Sequence, residues 1–213
     1  MTELSEIHPS ISKECATLQQ QKDLYLYLDQ ARSHRYINFC DWLQAEQILL
    51  SQDHYRQTKG DIADHRLGVT LYYEKLRSSK LLNPSAATLI KLLCPNRLWE
   101  TVASHFGIRQ QLTICRAQSN FMREGDFNRF HRDTDYDVDY RLVLVYNFTD
   151  PRCFQGGELA IGNISNNLSP AQFSITAFHA DTIHRVNPIQ VAQKERVTFI
   201  LILGRNGLAW KEL

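Results

Sequence analysis

From Gln111 onward, short apolar runs alternate with turn-forming residues. Gln111-Leu112-Thr113-Ile114-Cys115, Arg141 to Tyr146, Gln172 to Phe178 and Arg196 to Leu203 each read as strands. Turn signals separate them at Glu124-Gly125-Asp126, Thr149-Asp150-Pro151, Gln155-Gly156-Gly157 and Asn163 to Pro170. Short strands at this spacing predict an all-β sandwich or barrel over 109–213. The first 108 residues carry a different period. Leu18, Leu24, Tyr25 and Leu28 give a loose helical repeat over Ala16 to Ala31, and Phe39, Trp42, Leu43 and Leu49 a second, short helix. Leu67 to Tyr73 reads as a strand. Asn83-Pro84-Ser85 is a helix entry, with Leu89, Leu92 and Leu93 as its apolar face. Cys94-Pro95 ends that helix, because the residue before proline is pushed out of the helical region. A further helix, Leu98 to Phe106, stops at Gly107. The expectation is an α+β chain with a mainly helical portion over 1–108 packed on a β core over 109–213, one unit across 1–213.

Composition changes little in this picture and removes several function classes. The 213 residues suffice for one domain with a sizeable core, and 43% hydrophobic with 22% charged residues is ordinary for a globular protein. A net charge of +1 gives no electrostatic footprint for nucleic acid or an anionic membrane. No apolar run approaches the roughly 20 residues that span a bilayer. The acidic, polar start Met1-Thr2-Glu3-Leu4-Ser5-Glu6 is unlike a signal peptide. Cys15, Cys40, Cys94, Cys115 and Cys153 are odd in number and scattered without C-x-x-C spacing, so neither a disulfide framework nor a zinc knuckle is expected. A reducing cytoplasm is the expected location.

Candidate chemistry is concentrated in the second half. In Phe130-His131-Arg132-Asp133, an extended backbone points His131 and Asp133 to one face, an imidazole and a carboxylate side by side. As an isolated tripeptide this is commonly a surface turn, and Asp135, Asp137 and Asp139 follow as a solvated loop. His-Arg-Asp also opens the protein-kinase catalytic loop, but that loop requires Asn five residues after its Asp, and position 138 is Val. Downstream, His184 lies in an extended apolar context just before Asn187-Pro188. The run Arg196 to Leu203 is apolar on both faces, as in a strand buried on both sides. A guanidinium at the start of such a strand is costly without an anion. Arg196 and Thr198 share one face and offer a planar fork plus a hydroxyl to a carboxylate.

His-x-Asp, a distant His and then an Arg about a dozen residues on make up a 2-His-1-carboxylate triad followed by a keto-acid anchor. In this order the chain resembles the 2-oxoglutarate- and Fe(II)-dependent dioxygenase superfamily, in its prolyl-hydroxylase-like branch. The likeness covers about Leu112 to Leu203. Phe121 to Phe127 looks like the family's glycine-containing turn, and Tyr146-Asn147-Phe148 with Gly156-Gly157-Glu158-Leu159 like its strand and hairpin. His184-x-Val186-x-Pro188 and Arg196-x-Thr198 look like its distal-histidine and anchor segments.

The resemblance implies a double-stranded β-helix, or jelly roll, with Fe(II) held by His131, Asp133 and His184 and 2-oxoglutarate held by Arg196 and Thr198. It favours His184 over His179 as distal ligand, since only His184 stands 12 residues before Arg196. It also implies a polar keto-acid contact on an early strand, for which Gln118, Arg116 and Tyr146 are candidates. The implied reaction converts 2-oxoglutarate and O2 to succinate and CO2 while hydroxylating an unactivated C–H bond. The expected substrate is a small molecule, such as an amino acid or biosynthetic intermediate. The alternatives are a peptidyl or protein-residue hydroxylase and a non-catalytic cupin-like metal-binding module.

Overall fold

A computed structural model describes residues 24–51, 56–58, 63–72, 81–82, 84–162, 167–207 and 209. The first half contributes β1 (Tyr25–Leu28), α1 (Gln30–Ser33), α2 (Phe39–Leu50), β2 (Arg56–Thr58), β3 (Ala63–Tyr72), β4 (Leu81–Leu82), α3 (Pro84–Leu93) and α4 (Asn96–His105). The second half begins with β5 (Thr113–Met122), β6 (Phe127–His131), a 3-10 turn over Asp133–Asp135 and β7 (Tyr140–Asn147). It continues with β8 (Phe154–Gly156), β9 (Leu159–Ile161), β10 (Asn167–Leu168), β11 (Ser174–His179), β12 (His184–Val186), β13 (Ile189–Ala192) and β14 (Arg196–Gly204).

The helices follow their local signals. Asn38 caps α2 by accepting the Asp41 N–H at 2.9 Å, and the helix buries Trp42, Ala45 and Leu49. Pro84 opens α3, which buries Ala86, Leu89, Ile90 and Leu93 before Pro95 interrupts the chain. At the end of α4, Ile108 N–H bonds Ala103 O at 2.9 Å and Gly107 N–H bonds Ser104 O at 3.1 Å, a Schellman closure. It needs a left-handed residue, supplied by Gly107 at φ +66.

The expected helix over Ala16 to Ala31 is replaced, in its described part, by a strand and a short helix. Tyr25–Leu28 pairs antiparallel with β11, Tyr25 opposite Phe178 and Leu28 opposite Ile175. The physical reason is a period of two. Tyr25 packs with one core cluster, while Leu26 and Leu28 pack with the other. Helix begins only at Gln30, after Asp29 accepts the Arg32 N–H at 2.9 Å. The stretch 16–23 lies outside the described residues. The Leu67–Tyr73 strand is longer than expected, β3 running from Ala63 to Tyr72, while Tyr73 also lies outside them. The described part of the first 108 residues is therefore mixed, strand and helix together.

Strand order is β1-β11-β7-β14-β5-β3-β6-β12-β9-β10, with β2 and β4 on β3, and β8 paired with β13. Every pairing among the described residues is antiparallel. The path forms two arrays, β11-β7-β14-β5 and β6-β12-β9-β10, joined through β3. Two cores lie against the first array. On one face, Leu142, Leu144, Tyr146, Val197, Phe199 and Leu201 pack with Trp42, Leu89 and Leu98 of the helices. On the other, Val143, Val145, Phe178 and Ile202 meet Leu159 and Ile161 of the second array. Burying one such side chain contributes about 1.5–3 kcal/mol relative to exposure. The site lies in this second space, between the arrays.

Candidate metal and anion site

The register of β6 and β12 puts His131 opposite His184, with ring centroids 4.2 Å apart. Arg132 keeps the chain extended beyond His131, and the 3-10 turn then presents Asp133. Backbone N–H donors hold that turn. Tyr136 N–H reaches Asp133 O at 3.0 Å, Thr134 N–H reaches Ala180 O at 3.2 Å, and Arg132 N–H reaches the Asp135 carboxylate at 3.2 Å. His131, Asp133 and His184 each bring one ligand atom within 4.8 Å of the others, and among the described residues no other such cluster occurs.

Each histidine is oriented by the carbonyl two residues before it. Nδ1 of His131 lies 2.8 Å from Arg129 O, and Nδ1 of His184 lies 2.9 Å from Thr182 O. A carbonyl there places the proton on Nδ1 and leaves Nε2 with its lone pair for a metal. Burial lowers the His184 pKa below the usual histidine range; Asp133 opposes this shift and His131 adds to it. The neutral imidazole is the form that coordinates. Asp133 and His184 approach at 3.6 Å, too far for a good hydrogen bond, so their lone pairs are not spent on each other.

Arg196 opens β14 opposite Met122 and is 4% exposed. Its Nη1 has only the weak Met122 Sδ acceptor at 3.5 Å, and its Nη2 has no partner. Burial brings its pKa down to about 10, against the pull of Glu158. Gly157 explains how the stem fits. At φ +70, any Cβ there would come within 3.3 Å of Arg196 Cδ and 3.1 Å of Ile189 Cγ1. Thr198, on the same face, has a buried Oγ1 without a partner. A buried cation and a hydroxyl on one face, both without partners, have the chemistry that suits an anion.

The other expected contacts divide by face. Gln118 faces inward across from Ile200; its Nε2 donates to Asn120 Oδ1 at 2.8 Å, and its Oε1 has no partner. Arg116 pairs with Ile202, six residues along β14 from Arg196 and so about 20 Å away along the strand. Tyr146 does not join the group. It is in register with Phe199, on the helix-facing side, 6.1 Å from the Trp42 ring. Burial, with Cys94 alongside, raises its phenol pKa.

His179 also turns away, its ring 4.8 Å from that of Phe106. The acidic run is not wholly a solvated loop: Asp139 is buried, accepting from Asn206 Nδ2 at 2.7 Å and lying 3.8 Å from Arg205 Nε. Sequence reasoning missed Asn120 and Asn147, which flank Thr198 in register, and Thr176, whose buried hydroxyl lacks a partner. Counting in twos from Gln118 reaches Asn120, a signal available in the sequence.

No protein-family model and no curated protein matches the sequence. Solved structures do. A 2OG-Fe(II) oxygenase family oxidoreductase from Burkholderia pseudomallei superposes with a TM-score of 0.73 at 19% identity, covering 98% of this chain and 96% of that one. A Pseudomonas putida prolyl-4-hydroxylase gives 0.60 at 13% identity, covering 90% and 98%. A prolyl hydroxylase from Trichoplax adhaerens, in complex with a hypoxia-inducible-factor peptide fragment, gives 0.62 at 11% identity, covering 94% of each chain. The fold is thus that of the 2-oxoglutarate- and Fe(II)-dependent oxygenases, prolyl hydroxylases among them. Among the described residues, no helix is long and apolar enough to cross a membrane.

Proposed function

We propose that the chain is a non-haem Fe(II)- and 2-oxoglutarate-dependent dioxygenase that hydroxylates a C–H bond of a small molecule. The supporting observation is that a three-residue metal cluster and a buried, unpaired guanidinium face the same space between the two strand arrays. The strand order β11-β7-β14-β5 against β6-β12-β9-β10 supports reading that space as the interior of a jelly roll.

The donor set fits the group it would hold. Two neutral imidazoles and one carboxylate suit Fe(II) and leave coordination positions for a keto acid and O2. His131 and His184 present Nε2 because their Nδ1 protons are engaged by backbone carbonyls. Asp133 supplies the negative charge, held in place by its turn. Arg196 and Thr198 would hold the far carboxylate of 2-oxoglutarate. Gln118 and Asn120 extend the polar wall beside it. Iron, when bound, supplies activation of O2 coupled to oxidative decarboxylation of the keto acid.

The test is incubation of the iron-loaded chain with 2-oxoglutarate under air. The reading expects succinate formation that requires iron, O2 and 2-oxoglutarate together; no succinate from a protein that demonstrably binds iron would overturn it. The peptide bound to the Trichoplax relative motivates a second reading, a peptidyl hydroxylase. It expects oxygen gain on a peptide panel rather than on free metabolites.

A further inference from the structure

Thr198 is flanked in register by two buried asparagines, Asn120 on β5 and Asn147 on β7. Their amides are engaged differently. Asn147 turns its Nδ2 back to Val145 O, Ser174 O and Ser174 Oγ, each at 3.4 Å. Asn120 instead uses its oxygen, and Oδ1 accepts from Gln118 Nε2 at 2.8 Å. Among the described residues no acceptor meets Asn120 Nδ2. Gln118 stands two residues away on the same face, opposite Ile200, and its own Oε1 is buried without a partner. Asn120 is thus the amide beside Thr198 whose donor is unspent.

The two-amide chain has a sense. Reversing both amides keeps a bond of the same kind, with Asn120 Nδ2 donating to Gln118 Oε1, and leaves Asn120 Oδ1 as the free end. For the pair alone the two senses are close in energy, since each holds one neutral amide bond and leaves one polar atom of Gln118 unpaired. They differ at the Thr198 end, where Arg196 and Thr198 have the chemistry that suits an anion. A carbonyl oxygen set beside a carboxylate repels it. An amide N–H donates to it, and that bond is roughly twice as strong as a neutral one. An anion here therefore selects the sense observed, and Gln118 Nε2 is the donor that holds it.

We propose that Gln118 is a positioning residue: it pins the Asn120 amide so that Nδ2 donates to a carboxylate held by Arg196 and Thr198. Gln118, expected as a direct keto-acid contact, instead acts through Asn120. The inference rests on the oxygenase reading for the identity of the anion, 2-oxoglutarate, and is tested by binding rather than turnover.

The probe is 2-oxoglutarate, titrated by calorimetry into the full chain loaded with Zn(II), which carries no redox chemistry. Asn120→Ala should weaken binding about tenfold or more, the loss of a hydrogen bond to a charged group. Gln118→Met keeps a similar length without the amide, and should weaken binding about three- to tenfold, because Asn120 can then turn its oxygen to the carboxylate. In the Asn120→Ala background the same substitution should change affinity by less than about twofold, since the group it acts through is gone. A direct contact would cost the same in both backgrounds, so equal losses overturn the proposal, as does a Gln118→Met protein of unchanged affinity. NMR separates positioning from mere packing. Adding 2-oxoglutarate should shift the Asn120 side-chain amide signals in the unmodified protein and shift them less in Gln118→Met; equal shifts overturn the proposal. Should Gln118→Met fail to fold, Gln118→Glu carries the test. Its carboxylate accepts from Asn120 Nδ2 and reverses the sense, so the loss should be about tenfold or more with Asn120 present and smaller with Asn120→Ala. Equal losses there count against the proposal in the same way. An unmodified protein that binds no 2-oxoglutarate sinks both the oxygenase reading and the role of Gln118. Coupled binding without succinate from the iron-loaded chain sinks the oxygenase reading alone; succinate with uncoupled losses sinks the role of Gln118 alone.

Discussion

The array β11-β7-β14-β5 has two faces, and they do different work with similar-looking sequence. On the helix side, β7 shows Leu142, Leu144 and Tyr146 and β14 shows Val197, Phe199 and Leu201, a dry layer against Trp42 and α3. On the inner side, the same strands show Val143, Val145 and Asn147, and Arg196 and Thr198. A shift of one residue in a strand exchanges the faces, so the difference between packing residue and ligand contact is one of phase. Tyr146 and Asn147 are neighbours in sequence and belong to different chemistries. The two histidines near β11 and β12 repeat the contrast, His179 against Phe106 and His184 against His131.

The largest effect expected comes from breaking that contrast at the metal. His184→Ala should raise the Fe(II) dissociation constant by roughly 100-fold or more and abolish turnover, since even outer-shell partners of metal ligands cost 10–100-fold. His179→Ala should hold iron nearly as well as the unmodified chain. Iron binding by calorimetry compares the two directly; if His179→Ala were the variant that lost iron, the assignment of faces would be reversed.

Next comes Arg196→Met, which separates function from stability. Binding of 2-oxoglutarate should weaken by several kcal/mol, because the far carboxylate would be buried without its charged partner. The empty fold should gain, by about 1–3 kcal/mol, as an unpaired buried cation is replaced by an apolar chain of similar length. Thermal melts with and without 2-oxoglutarate read both: a higher midpoint alone, and no further rise with ligand.

The pH dependence has a fixed sign. Arg196 has its folded pKa lowered by burial to about 10, below the ordinary guanidinium range, so between that value and the ordinary range the unfolded chain holds more protons than the folded one. Its contribution to stability therefore rises with pH across that window, and below about 10 the buried charge is a constant cost. In Arg196→Met that component of the rise should vanish; an identical alkaline profile in both proteins would mean that Arg196 carries no such cost.

The His131, Asp133 and His184 cluster and the buried place of Arg196 were legible because their residue types and order survive without knowledge of tertiary contacts. His131 and Asp133 sit two apart, and Arg196 stands at the head of a run that is apolar but for Thr198. Phase was not legible in β7. Leu142 to Val145 are apolar at every position, so nothing in the run says which side the helices cover, and Tyr146, one of three candidate keto-acid contacts, lies on the helix-facing side. β1 was misread for a related reason. Four residues are too few to display a period of two against a glutamine-rich neighbourhood, and the partner strand that stabilises it lies about 150 residues away.

The smallest effect sharpens the comparison most finely, because it sets two hydroxyls on opposite faces of one array against each other. Thr198→Val keeps shape and removes the inner hydroxyl; Tyr146→Phe keeps shape and removes the outer one. A hydroxyl bonded to a charged carboxylate contributes about 1.5–3 kcal/mol, so Thr198→Val should raise the 2-oxoglutarate requirement by roughly 10- to 100-fold while iron affinity holds. Tyr146→Phe should leave that requirement unchanged. Its phenol lies in the helix-facing core beside Cys94 and Trp42, where only fold stability can register its loss. The measurement is the concentration of 2-oxoglutarate giving half-maximal succinate formation in each variant. A Tyr146→Phe protein that needed more 2-oxoglutarate, with Thr198→Val unaffected, would put the keto acid on the other side of the array.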